Sequence, residues 1–216
     1  GKFIINGSIY NKKFYIKKKN KIIEKKNFNS RNILFISSYK LTNLKSDLES
    51  NHSWKEGLAS DHQWIEYANH FIKIFNLVCE ISKFNNYNLF FLSKDSKMHE
   101  TNFRKFFATD NWTYIPNNKN FTTSYEHLNN AHLVISDFST LAYESLAKKK
   151  RTIFIPSKKY LNNNCNDSLL HKSSISLNNP TYASLSSLIN ELYNMTDSKW
   201  NKKIKAYFDS SIAYDR

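Results

Sequence analysis

The stretch from Val134 to Pro156, VISDFSTLAYESLAKKKRTIFIP, contains two short apolar runs separated by a polar turn and an amphipathic segment. The apolar runs have the length and composition of buried strands, and the segment between them has helical spacing, so the stretch predicts a strand–helix–strand unit with parallel strands. The turn reads SDFST, which ends the first strand in an acid and two small hydroxyl residues, and Glu144 follows one helical turn later. The position of this turn in the fold governs the functional prediction.

The same alternation of strand and helix patterns runs through the chain from residue 31 onward. Strands are predicted at ILFIS, NLFFLS, WTYIP, HLVIS and RTIFIP, with SSISL near residue 175 as a sixth. Apolar spacing predicts a helix from Asp61 to about Phe84, shorter helices before the later strands, and two helices at the end of the chain. We therefore predict an α/β fold, Rossmann-like and doubly wound, with a mainly parallel sheet of five to six strands.

Composition restricts the class of protein. The chain has 216 residues, of which 40% are hydrophobic. This is enough to form the hydrophobic core of a large single domain. No apolar run approaches the roughly 20 residues that a membrane-spanning helix needs. The two cysteines, Cys79 and Cys165, do not form a disulfide framework, which favours a cytoplasmic location. A peripheral position at the inner membrane face is compatible with these features.

The net charge of +14 is concentrated at the start of the chain. Residues 1–40 contain 11 Lys or Arg and one acid, Glu24, a balance of +10. A solvated charged face that protects a strand edge is the favoured interpretation, followed by contact of residues 11–26 with an anionic membrane, and nucleic-acid binding is the least favoured. An Asn-Gly pair between apolar runs predicts a hairpin, so residues 1–30 are predicted to form a basic hinge or hairpin segment.

The SDFST turn follows the fourth predicted strand, and the SSYK loop that contains Ser38 follows the first. In a doubly wound sheet these two loops flank the crevice where ligands bind. The start of the helix after SDFST offers free backbone N–H groups to a phosphate, with Ser139 and Thr140 as hydroxyl donors, and Glu144 lies within reach of a ribose. Serine or threonine at a helix start is also ordinary capping. No Gly-x-Gly-x-x-Gly or Walker A motif occurs, which argues against a dehydrogenase or a P-loop enzyme.

The run SYEHLNNAHLVISDFSTLAYESLAKKKRTIFIP, residues 124–156, resembles the pattern of the GT-B glycosyltransferase-like surface-carbohydrate biosynthesis proteins. The resemblance extends over roughly residues 31–205, and the run is more distantly similar to the nucleotide-binding half of UDP-sugar epimerases. The resemblance implies that Phe138, Ser139 and Thr140 hold the donor phosphate, that Glu144 binds the ribose and that Asp137 belongs to the same donor-binding turn. The residues of this turn are Asp137, Phe138, Ser139 and Thr140. Phe138 stands where the epimerases have a hydroxyl residue, and Ala142 where the surface-carbohydrate proteins have glycine.

The resemblance further implies a two-domain GT-B enzyme that works without a metal. Residues 31–216 correspond to its nucleotide-sugar-binding domain, and residues 1–30 are expected to be the remnant of an N-terminal half that normally binds the acceptor. Sugar transfer also needs a group that handles the proton of the acceptor hydroxyl. The candidates within this chain lie in or at the edge of the long polar segment after the first strand, and they are His52, Glu56, Asp61 and His62.

The resulting hypothesis is a glycosyltransferase, or its donor-binding half, that transfers a sugar to a surface polysaccharide such as a capsule or to a lipid-linked glycan. No cofactor is expected beyond the donor, whose nucleotide is CMP, UDP or GDP. Two alternatives stay open: a nucleotide-sugar epimerase-like enzyme, and a non-enzymatic basic module that binds membrane or nucleic acid. The sequence leaves open the acceptor, the stereochemical outcome and the oligomeric state.

Overall fold

A computed structural model of the chain describes residues 31–37, 61–107, 109–116, 121–137, 139–157 and 173–211. The strands that it contains are β1 (Asn32–Ile36), β2 (Asn88–Leu92), β3 (Trp112–Ile115), β4 (Leu133–Ser136) and β5 (Arg151–Phe154). The α-helices are α1 (Asp61–Phe84), α2 (Glu100–Arg104), α3 (Phe121–Asn130), α4 (Thr140–Ala147), α5 (Tyr182–Asn194) and α6 (Asp197–Ser211). The predicted hairpin and hinge segment at residues 1–30 lies outside the described residues.

The five strands form one sheet in the order β3-β2-β1-β4-β5, and every neighbouring pair is parallel. Helices cover the sheet, so the predicted α/β, Rossmann-like fold is confirmed. The strand order reverses between β1 and β4, where Ile36 is paired with Ser136. The loops that follow these two strands therefore start side by side, as a doubly wound sheet requires at its switch point.

Two predicted elements are shorter in the structure than in the sequence pattern. SSISL contributes a single parallel bridge between Ser176 and Phe154 instead of a full sixth strand. A turn closed by the Ser176 amide and the Ser173 carbonyl, 3.1 Å apart, leaves few extended residues beside β5. Helix α2 stops at Arg104 because the next bonds are of the tighter i→i+3 type, in which the Phe107 amide donates to the Arg104 carbonyl at 3.1 Å.

An aromatic cluster fills the space between the sheet and helices α1 and α2. Phe35 in β1 lies at its centre, with ring centroids 5.0 Å from Phe75 and 5.9 Å from Phe91. The other rings of this cluster are Phe71, Phe103, Phe107, Trp112 and Tyr114. Because aromatic side chains bury large apolar areas, this face of the sheet carries much of the stabilisation of the domain.

The opposite face of the sheet is covered by α3 and α4. Tyr143 of α4 packs on Phe154 of β5 with centroids 4.9 Å apart, and the Ser145 and Thr152 hydroxyls form a buried hydrogen bond of 3.1 Å. Both faces of the strands are therefore buried, which explains their nearly continuous apolar sequences. Within the described ranges, no helix is both long enough and apolar enough to cross a membrane.

Candidate functional site

Buried polar side chains collect at the carboxyl ends of the strands. Most of the buried polar residues in the described part of the chain lie at this edge: Ser37, Ser93, Asp95, Ser136, Asp137, Ser139 and Ser157. Burying a polar group is costly unless it is hydrogen-bonded, so such a concentration is not expected from packing alone. The edge that the topology assigns to ligands is thus also the polar edge of the core.

Asp137, the acid of the SDFST turn, joins the two loops of the switch point. Its side chain is only 1% exposed, and its Oδ2 accepts hydrogen bonds from the Ser37 hydroxyl at 3.1 Å and the Tyr67 hydroxyl at 3.0 Å. Beside it, the Ser136 hydroxyl donates to the Ile36 carbonyl at 2.8 Å. The structure therefore places Asp137 as a buried link between β1, β4 and α1 rather than as a side chain presented to solvent.

The side chain of its N-cap residue does not cap the start of α4. Ser139 is the N-cap residue, with φ −133° and ψ 137°, and its side chain makes no capping hydrogen bond. Its carbonyl accepts from the Ala142 amide at 2.9 Å, so the helix is formed from its first turn. Thr140 is exposed, whereas Ser139 is mostly buried. The first amides of a helix have no intrahelical acceptor, so the N-terminus of α4 can bind an anion.

Glu144 lies one turn into α4 and is half-buried. Its Oε2 accepts a short hydrogen bond from the hydroxyl of Tyr125 on α3. The ring of Tyr125 in turn carries the Lys148 ammonium group 4.3 Å from its centroid. These contacts fix the position of the Glu144 carboxylate relative to the helix start.

Sequence reasoning missed two residues of α1 that contact this edge, Tyr67 and His70. The Nε2 of His70 lies 3.1 Å from the Ile155 carbonyl just beyond β5, so this nitrogen carries the proton. Burial lowers the pKa of His70 below its ordinary value; the hydrogen bond to Ile155 and the charge of Asp137 oppose this effect. The sequence contained a signal for these two residues. A helix that follows a parallel strand starts at the carboxyl edge of the sheet, so the residues of its first turns lie near that edge.

The residues predicted to handle the acceptor proton lie at or before the start of α1. Asp61 and His62 are the first two residues of this helix, and the structure describes their backbone only. With a rise of about 1.5 Å per residue, they lie roughly 8 Å beyond Tyr67 along the helix axis, on the side of the carboxyl edge. His52 and Glu56 lie outside the described residues, as do the predicted ligand-binding residues Ser38 and Phe138.

Two further features of the described part of the chain concern possible metal ligands and the buried cysteine. No group of three or more His, Cys, Asp or Glu side chains there is arranged to hold a metal ion. Burial raises the pKa of the Cys79 thiol to about 12, so this cysteine is not a thiolate at neutral pH.

The fold and this edge define a Rossmann-like α/β protein with a polar site at the switch point of a parallel sheet. A family model described as "putative O-antigen biosynthesis protein" matches residues 1–216, and the chain belongs to this family. Membership agrees with the surface-carbohydrate part of the resemblance seen in the sequence. No curated protein and no solved structure matches the chain.

Proposed function

We propose that this chain is the donor-binding unit of a GT-B-type glycosyltransferase that acts in the synthesis of a surface polysaccharide or a lipid-linked glycan. The family membership supports a role in surface-carbohydrate synthesis, and the strand order supports a ligand site at the switch point between β1 and β4. The observation that carries the proposal is the uncapped start of α4, with exposed Thr140, beside the switch point between β1 and β4.

Sugar transfer places growing negative charge on the leaving phosphate, and the N-terminus of α4 is suited to stabilise it. The amides of the first turn and the positive end of the helix dipole are oriented before the reaction, so they do not have to reorganise. Thr140 can add a hydroxyl donor at the same place. In this role the helix stabilises the leaving phosphate without a metal ion.

Glu144 is proposed to bind the ribose of the donor. Tyr125 occupies Oε2 of the carboxylate, and Oε1 is then the oxygen that accepts a ribose hydroxyl. Asp137 contributes indirectly, because its bonds to Ser37 and Tyr67 fix the turn that precedes the helix. The donor is a CMP-, UDP- or GDP-linked sugar, and no further cofactor is proposed.

The acceptor side is proposed to be shared between the start of α1 and an N-terminal half that residues 1–30 connect to this domain. Asp61, His62, His52 and Glu56 are the candidates for the proton acceptor within the chain, since Asp61 and His62 begin the helix that passes the site. The basic residues 11–26 are proposed to contact an anionic membrane on the cytoplasmic side, where a lipid-linked acceptor would be met.

A thermal-shift panel with CMP, CDP, UDP and GDP tests this function. One nucleotide should raise the melting temperature by an amount that grows with its concentration above the dissociation constant. Glu144→Ala should remove most of that shift. Tyr125→Phe keeps the carboxylate but loses its hydroxyl partner, and Glu80→Ala removes an exposed acid near the far end of α1, so both should retain a shift.

Two results would contradict the proposal. One is a panel in which no nucleotide stabilises the wild-type protein. The other is a shift that survives Glu144→Ala unchanged, which would reject the ribose contact.

A further inference from the structure

A cavity of about 490 Å³ lies at the amino ends of β4 and β5. Its lining includes the consecutive cations Lys148, Lys149, Lys150 and Arg151, together with His132 and Trp200. The candidate donor site lies at the opposite end of the same strands. Because the four residues of β4 rise roughly 13 Å, the cavity is separate from the start of α4, where the donor phosphate is proposed to bind. Lys148 also contacts Tyr125, the hydrogen-bond partner of Glu144.

The cavity carries an excess of positive charge. Four lining residues are formally cationic and one, Asp197, is anionic, which leaves a formal charge of +3 with His132 neutral. Asp197 forms an ion pair of 2.9 Å with Arg151. Two of the contacts of these cations are with neutral groups: Lys150 Nζ donates to the Ala131 carbonyl at 3.0 Å, and Lys148 Nζ lies 4.3 Å from the centroid of the Tyr125 ring.

Two buried nitrogen atoms at this cavity lack a hydrogen-bond partner among the described residues, His132 Nε2 and Arg151 Nε. Arg151 Nε always carries a proton, so this buried donor points to a missing acceptor. His132 differs, because its other ring nitrogen makes the hydrogen bond to the Tyr193 backbone and Nε2 of the neutral ring is itself an acceptor. Burial and the nearby charges of Arg151 and Lys150 also lower the pKa of His132. An anion in the cavity would accept a hydrogen bond from Arg151 Nε and would raise the pKa of His132, whose protonated Nε2 could then donate to it as well.

We propose that this cavity binds a phosphate group, carried either by a soluble phosphate ester or by a lipid headgroup. The volume lies within the range of small-molecule sites. A phosphate is favoured over a carboxylate because it brings up to two negative charges and several acceptor oxygens to a cluster of net charge +3. The proposal does not depend on the donor site.

The test is an NMR titration of the ¹⁵N-labelled full chain with inorganic phosphate, against chloride at equal ionic strength. The reporter is the indole N–H of Trp200, which donates to the Lys149 carbonyl at 2.8 Å and so lies at the cavity. We expect a saturable shift of this signal, and roughly fivefold weaker binding in Lys149→Gln. Lys202→Gln removes an exposed charge of α6 that does not line the cavity, and it should bind like the wild type.

A second arm identifies the source of the phosphate and excludes the donor site. Vesicles of phosphatidylcholine with or without phosphatidylglycerol are co-sedimented with the same variants, so that any contribution of the basic residues 1–40 is the same in each of them. If Lys149→Gln loses phosphatidylglycerol binding and Lys202→Gln does not, the phosphate is that of a lipid headgroup. If inorganic phosphate binds but Lys149→Gln leaves phosphatidylglycerol binding unchanged, the phosphate is that of a soluble ester. Thr140→Glu blocks the helix start and should leave the Trp200 response intact.

The proposal is overturned if Lys149→Gln weakens the binding of neither phosphate nor phosphatidylglycerol. It is also overturned if Lys202→Gln weakens the binding as much as Lys149→Gln does. A Trp200 response that Thr140→Glu abolishes would also overturn it, because the phosphate would then be at the donor site. Absence of nucleotide binding would contradict the proposed function and leave this test unaffected.

Discussion

Asp137 shows how one side chain organises the switch point. A buried carboxylate is stable only when hydrogen-bond donors replace the water that it has lost, and here two hydroxyls from different elements supply them. The sequence predicted this acid at the site, but not its partner Tyr67, because 70 residues separate the two and no local pattern connects them. The same limit applies to the Tyr125–Glu144 contact between neighbouring helices.

Tyr67→Phe tests this link at the residue scale. The change removes one hydrogen bond to a buried carboxylate, and we expect the free energy of unfolding to fall by about 1–3 kcal/mol. Urea unfolding measures it. The matched control is Tyr182→Phe, which removes the same hydroxyl from an exposed ring at the start of α5 and should cost less than about 0.5 kcal/mol. Equal stability of the two variants would contradict a structural role for the Tyr67–Asp137 bond.

At the scale of the elements, apolar periodicity was a good guide where an element is long or fully buried. The helix predicted from Asp61 to Phe84 has those bounds, and the five strands lie within a residue or two of their predicted positions. The pattern failed at α2 and at SSISL, where turn hydrogen bonds end an element that composition alone would extend. The basic run before β5 gave no sign of a cavity, because Trp200 reaches it from a helix about 50 residues later.

His70 links α1 to the end of β5, and it makes the stability of this contact depend on pH. Because its pKa is lower in the folded chain than the ordinary value near 6.5, the folded state binds fewer protons than the unfolded state in this range. The free energy of unfolding should therefore fall as pH decreases from about 7 toward 5. His132 has a pKa shifted in the same direction and adds its own share.

Urea unfolding at several pH values separates the two histidines. His70→Gln keeps a donor for the Ile155 carbonyl and should reduce the pH dependence of the free energy of unfolding. His132→Gln should reduce it by a separate amount, and the double variant should show the weakest pH dependence. A profile in His70→Gln that equals the wild-type profile would show that the buried position of this histidine has no energetic consequence.

At the scale of the whole molecule, the described elements share one hydrophobic core, in which the aromatic cluster dominates one face of the sheet. Phe75→Ala removes a fully buried ring from the centre of that cluster and should lower the free energy of unfolding by about 3–5 kcal/mol. Phe84→Ala makes the same change at a ring that is 82% exposed, and should cost less than about 0.5 kcal/mol.

Circular dichroism during urea unfolding measures both variants. We expect one transition whose midpoint moves strongly for Phe75→Ala and hardly for Phe84→Ala. Similar midpoints for the two variants would contradict the assignment of the aromatic cluster as the core of the domain.

The most direct test of the account is the affinity of a nucleotide for the wild-type chain and for Thr140→Glu, measured by isothermal titration calorimetry. A glutamate in the first turn favours the helix dipole, so the variant should melt at the same or a higher temperature, whereas its charge repels a phosphate. We predict that one of CMP, UDP and GDP binds the wild type and that the variant binds it at least about tenfold more weakly. Equal affinity in the variant, or no binding to the wild type, would contradict a phosphate site at the start of α4.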